Sequence, residues 1–125
     1  MKEDQRHGDD LRVRTKEFGG AVVRFFVTLD KTREELRVLG KQLLRSGTSV
    51  GAQYREASRA RSDEEFTAKI DACTQEADES QYWIELLRDY CGVSSAQTDL
   101  LCQEADELIS IFVTMSKRTK EKRSR

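Results

Sequence analysis

The groups in this chain that could do chemistry are carboxylates, thiols, one histidine and a run of arginines. Their spacing decides which chemistry is open. Glu76, Asp78 and Glu79 fall within one helical turn. Di-metal sites in helical bundles pair glutamates with Glu-x-x-His motifs on facing helices. The only histidine, His7, stands far upstream near the N-terminus. Carboxylates without imidazole hold transition metals poorly, so no metal and no cofactor is expected. Glu76 and Glu79 are expected instead to pair with arginines of the preceding helix.

Nucleophilic catalysis finds no better footing. Cys73 and Cys91 sit on apolar helical positions, where a thiol behaves as a small inert hydrophobe. No histidine is placed to activate a serine or cysteine. Three cysteines without CxxC spacing make neither a disulfide framework nor a zinc site. The glycines lie inside a helical pattern rather than in a phosphate-cradling loop. The residues therefore argue against an enzyme and against a small-molecule substrate.

The arginines leave a different option. Arg45, Arg55, Arg59 and Arg61, with Lys69 across a turn, could form a basic patch able to grip phosphates. The segment Lys117–Arg125 adds six cations against one acid. A sequence pI near 5.9 is low for a dedicated nucleic-acid binder. The net charge of −1 hides this unevenness. Lys31–Arg61 holds eight bases and three acids, whereas Ser62–Gly92 holds nine acids and two bases. Adjacent segments of opposite sign suit antiparallel helices that face each other.

The elements that must position these groups are legible in the apolar period. Four segments repeat at three and four residues, such as Phe18, Val22, Phe25, Leu29 and Phe66, Ile70, Cys73, Ala77. No proline interrupts any of the 125 residues. The spacing predicts helices at about 10–29, 32–60, 62–91 and 95–118. Thr32 with Glu35, Ser62 with Glu65 and Ser94 with Gln97 have capping-box spacing, and Gly92 suits a left-handed cap. Connections of a few residues force neighbouring helices to run antiparallel. The fold expected is all-α, an up-down-up-down four-helix bundle over 10–118. A flexible N-terminus over 1–9 and a basic C-terminal tail over 119–125 flank it.

Gly40, Gly47 and Gly51 in the second helix each cost about 1 kcal/mol relative to alanine. Such positions are kept where another helix must come close. Ser46, Ser49, Gln53 and Glu76 are expected to form a polar layer inside the bundle, with Arg45 reaching Glu79. The apolar arcs are also too wide for a monomer. Tyr82, Trp83, Ile84, Leu86 and Leu87 sweep about 200° of their helix, and a bundle helix buries a stripe a little over about 100° wide. The surplus implies self-association, with Tyr82, Trp83, Phe26 and Ile109 as interface candidates. No apolar run approaches a membrane span or a signal peptide, so no membrane association and a cytoplasmic location are expected.

The stretches LGKQLLRSGTSVGAQYREASRARSDEEF and EADESQYWIELLRDYCGV resemble a bacterial four-helix-bundle family. That family was first noticed as reading frames within insertions in large-subunit ribosomal RNA genes. It includes the accessory variability determinants of diversity-generating retroelements. Gln42, Arg45, Ser46, Ser49, Val50, Gly51, Ala52, Glu56, Arg59 and Ser62 match its pattern. Gln53 departs from it, standing where the family usually has asparagine. The resemblance implies an antiparallel bundle assembled into a ring-shaped homopentamer. In the retroelement members the ring is a non-catalytic partner of a reverse transcriptase and its template RNA. The function expected is a non-enzymatic oligomeric scaffold that binds RNA or an RNA-associated protein. The alternative is a ring that binds only proteins.

Overall fold

In the computed structural model the three-and-four periodicity resolves into four helices: α1 (Lys2–Thr28), α2 (Glu34–Ser58), α3 (Asp63–Cys91) and α4 (Ser95–Arg123). The structure describes the backbone of residues 2–124 and the side chains of residues 10–124. The expected flexible segment 1–9, with His7, lies outside the residues whose side chains are described. Each helix packs on its neighbours in sequence, and α1 meets α4 more sparsely to close an antiparallel bundle. The core is a single apolar column. Phe18, Val22 and Phe25 meet Leu43 and Val50, Ile70, Ile84 and Leu87, and Leu108 and Phe112. Tyr54 and Phe112 stack across it with centroids 6.2 Å apart, joining α2 to α4.

Glycine sets how closely α1 approaches α2. A Cβ on Gly47 would lie 2.7 Å from Val22 Cγ2 and 2.9 Å from Cγ1, and Val22 is fully buried. At Gly51 the same atom would sit 3.4 Å from the carbonyl of Thr15. These helices therefore touch almost backbone to backbone. On the opposite side of α2, a buried serine pair docks α3. Ser80 Oγ lies 2.8 Å from both Ser46 Oγ and the Glu76 carbonyl, and Ser46 Oγ reaches the Leu43 carbonyl at 3.3 Å. The two hydroxyl protons serve three contacts, so two of the three are hydrogen bonds at any moment.

The helix ends correct several expectations. Ser62 caps α3 as expected, accepting from Glu65 N–H while the Glu65 carboxylate accepts from Arg61 N–H. Gly92 has φ of 69°, and the N–H groups of Gly92 and Val93 both return to the Leu87 carbonyl. Thr32, however, does not cap α2. Asp30 accepts from both its N–H and its hydroxyl, which holds Thr32 in the turn and starts the helix at Glu34 with no side-chain cap. Ser94 likewise makes no side-chain cap for α4. Helix α4 runs on to Arg123, past the end expected near 118. Lys, Arg and Glu are good helix formers, and Lys120, Lys122 and Arg123 in the last turn complement the negative end of its dipole.

The Gly47 contact generates a prediction. Gly47→Ala gains intrinsic helix propensity of about 1 kcal/mol but drives a methyl into the immobile Val22. The expected net result is a loss of about 1–3 kcal/mol in urea denaturation. Val22→Ala should relieve the strain when combined with it, leaving the double variant more stable than the sum of the single losses predicts.

Candidate nucleic-acid interface

The α2–α3 hairpin places the basic residues in two groups rather than one patch. Arg45 lies near the middle of α2, where its Nη2 donates to Glu79 Oε1 at 2.8 Å. Glu79 also accepts from the Trp83 indole N–H at 3.3 Å. Lys69 Nζ donates to Glu56 Oε1 at 3.2 Å. Arg55, Arg59 and Arg61 are exposed, and among the described residues their guanidinium groups form no ion pair. Of the five residues expected to form the patch, three therefore gather around the turn between α2 and α3, with Lys69 beside them in a salt bridge. Arg45 stands apart, about 15 Å along the helix from Arg55.

The fold brings a second basic segment to the same end. Asp71, two turns into α3, accepts from Ser116 Oγ at 2.7 Å and from Lys120 Nζ at 3.2 Å. This register carries the last turns of α4 toward the start of α3. Lys117, Arg118, Lys122 and Arg123 thus share one bundle end with Arg55, Arg59 and Arg61. Asp63, Glu64 and Glu65 in the first turn of α3 complement the positive end of its dipole, and with Glu56 and Glu121 they are among the acids at that end.

Between Arg45 and Lys69 the α2–α3 seam is polar but unevenly satisfied. Ser49 donates to the Arg45 carbonyl of its own helix. Gln53 Oε1 and Glu76 Oε2 are buried atoms without a hydrogen-bond partner. The expected polar layer is therefore corrected: its hydrogen-bonded pair is Ser46 with Ser80, both fully buried. Burial pushes the Glu76 carboxyl above its ordinary value of 4.5, and Glu79 raises it further, with Arg45 opposing.

The residues expected at oligomer contacts lie on three helices, α1, α3 and α4, and are exposed to different degrees. Tyr82 is 55% exposed and lies beside Trp83, ring centres 5.2 Å apart and planes tilted by 59°, but Trp83 is half-buried. Phe26 is half-buried under Lys31 Nζ, 4.8 Å from its ring centre, and packs on Gly40. Ile109 is half-buried on α4. The large apolar side chains left exposed are instead Val13, Val23, Val27, Val38, Tyr82, Tyr90, Leu100 and Val113. Periodicity missed Val13, Tyr90 and Leu100, since each falls off the apolar stripe that faces the core.

The thiols are quiet. Cys73 is buried, points its Sγ at the Val50 carbonyl at 3.7 Å, and burial pushes its pKa up to about 12. Burial also raises Cys102, against the pull of Arg88. Among the described residues no three His, Cys, Asp or Glu side chains are grouped to hold a metal ion. No helix among them is long and apolar enough to cross a membrane.

Residues 9–114 match the family described as 23S rRNA-intervening sequence protein. Among solved structures, the chain is similar to a protein of unknown function from the S23 ribosomal protein family of Bacteroides thetaiotaomicron. The two are 28% identical with a TM-score of 0.79, over 88% of this chain and 97% of that one. No curated protein matches the chain significantly.

Glu76 makes the seam titratable. Its folded pKa lies above the unfolded one, so the folded state holds the proton more tightly. The stability this confers is complete below about pH 4.5 and is lost as pH rises through the folded value. Glu76→Gln removes the charge that is penalised at neutral pH. It is expected to raise the melting temperature at pH 7, with the gain shrinking to nothing below the ordinary glutamate range.

Proposed function

The chain belongs to the 23S rRNA-intervening sequence protein family, and from that membership we propose a non-enzymatic, homo-oligomeric scaffold that binds RNA or an RNA-associated protein. The assembly is a homopentameric ring in the cytoplasm. The observation that carries the binding reading is the convergence of unpaired cations at one end of the bundle. Arg55, Arg59 and Arg61 meet the last turns of α4 there, and α4 continues as a helix instead of ending before them. Exposed, unpaired guanidinium groups suit phosphate contacts. A ring repeats the basic end around its axis, so the local field adds despite a net charge of −1 per chain.

The Tyr82–Trp83 pair favours a second reading. An exposed Tyr82 beside the half-buried Trp83 on α3, with Tyr90 84% exposed on the same helix, suits a protein partner. The ring would then bind proteins through this face and no nucleic acid.

Two measurements separate the readings. In the RNA reading, single-stranded RNA is retained at about 50 mM salt and largely released by about 200 mM. Arg59→Glu with Arg61→Glu weakens retention equally across RNA sequences and flattens the salt dependence. Arg45→Met leaves it unchanged, because Arg45 is paired with Glu79 far from the basic end. Retention indifferent to salt and to the arginine pair overturns the phosphate contacts. Captured protein that survives nuclease but is lost with Tyr82→Ala supports the second reading. A light-scattering mass near 14.4 kDa at tens of micromolar overturns the oligomer in both.

A further inference from the structure

We propose that Glu76 and Gln53 form a proton-operated latch across the α2–α3 seam. With Glu76 protonated, its carboxylic acid donates to Gln53 Oε1 and ties the two helices together. With Glu76 ionised, both oxygens are stranded acceptors and the seam is weaker at that level. The latch lies within one chain and does not depend on the RNA reading.

Four contacts fix how α2 and α3 lie against each other. Arg45 meets Glu79, Ser46 meets Ser80, Cys73 Sγ meets the Val50 carbonyl, and Glu56 meets Lys69. Arg45, Ser49, Gln53 and Glu56 share an arc of about 80° on α2, as do Lys69, Ala72, Glu76 and Glu79 on α3. The two ion pairs at the ends of these arcs turn them toward each other. In this antiparallel register Ser49 comes level with Glu76, and Gln53 with Ala72. Gln53 and Glu76 thus stand about one turn apart, roughly 6 Å along the axis. Side chains lean toward the N-terminus of their helix. Gln53 therefore leans toward the level of Glu76, and Glu76 toward the level of Gln53. Ser49 and Ala72 are small and leave room for the two longer side chains to meet.

Gln53 Oε1 and Glu76 Oε2 are both buried, and neither has a hydrogen-bond partner. Two acceptors cannot bond to each other, but one proton between them makes a hydrogen bond. The other donors of the seam are engaged. Ser49 Oγ donates to the Arg45 carbonyl at 2.7 Å, and Ser80 Oγ lies on Ser46 and the Glu76 carbonyl. The charged groups facing Glu76 are Arg45 and Glu56 from α2, and Lys69 and Glu79 from its own helix, already joined in pairs. Burial and Glu79 oppose its ionisation, Arg45 favours it, and no charge from α1 or α4 among the described residues acts on it. The buried Cys73 beside it stays neutral, its pKa pushed up to about 12. The folded chain holds the proton more tightly than the unfolded one. The latch is therefore complete below the ordinary value of 4.5 and opens as pH rises through the folded value.

Carbon-13 titration of the full chain, with glutamate and glutamine side chains labelled and assigned through the backbone, tests this. In the unaltered chain the Gln53 amide carbon should shift with the same midpoint as the Glu76 carboxyl. Gln53→Met should weaken proton binding by Glu76 about fivefold and move its midpoint down, because the acid loses its acceptor. A Gln53 resonance indifferent to the Glu76 titration overturns the latch, and that measurement stands even where the methionine variant fails to fold. A Glu76 midpoint unmoved by Gln53→Met overturns it too. So does a midpoint that rises, since the amide N–H would then have been donating to the carboxylate.

Discussion

The near-contact of α1 and α2 at Gly47 and Val22 is the constraint on which the rest of the bundle depends. A methyl at position 47 would fall 2.7 Å from a fully buried valine, so the interhelical distance there is set by the absence of a side chain. With α1 held this close, α2 turns Ser46 and Val50 away toward α3. The Ser46–Ser80 pair then fixes how far α3 slides along α2. Helix α4 docks on α3 through Asp71, Ser116 and Gln81, and Tyr54 against Phe112 ties it across the core to α2. The last seam, α4 on α1, is held chiefly by Arg14, whose guanidinium forks onto the two Glu104 oxygens at 2.7 and 2.9 Å.

Charge plays a directing part more than a stabilising one. The acidic α3 and basic α2 face each other, yet the ion pairs that cross them are Arg45–Glu79 and Lys69–Glu56, both partly exposed. Pairs of this kind are worth only about 0–1 kcal/mol each. Their larger effect is on sign and place. At the end of α2 and in the turn that follows it, Arg55, Arg59 and Arg61 form no ion pair among the described residues, which leaves cations exposed at one end of the molecule. The ordinary charge balance of the chain thus conceals a polarised surface.

Much of this was legible in the residues. The four helices, their antiparallel order, the Ser62 cap and the left-handed Gly92 follow from local periodicity and turn chemistry. The tightly packed glycines of α2 were also readable, because a helix keeps them only against close neighbours. Local rules failed where two local solutions compete. Thr32 has the spacing of a cap, but Asp30 captures it first. Helix α4 outlasts its apolar stripe because its last turns need only good helix formers and a favourable dipole. Angular spread counts surplus apolar residues but does not say how far a seam of the same chain covers each of them. Phe26 is absorbed against α2 and Trp83 is half-buried beside Glu79, while Val13 and Leu100 are left out.

By itself the sequence determined the class of molecule: an all-α, antiparallel four-helix bundle. Those properties are set by residue type and by spacing within one helix, which the chain encodes in adjacent letters. Only the tertiary structure decided that Ser80 rather than Gln53 completes the buried polar pair. It also brought the end of α4 beside Arg59. Each depends on how far one helix slides and rotates against another. That quantity arises from close packing between residues distant in sequence, and no local pattern records it.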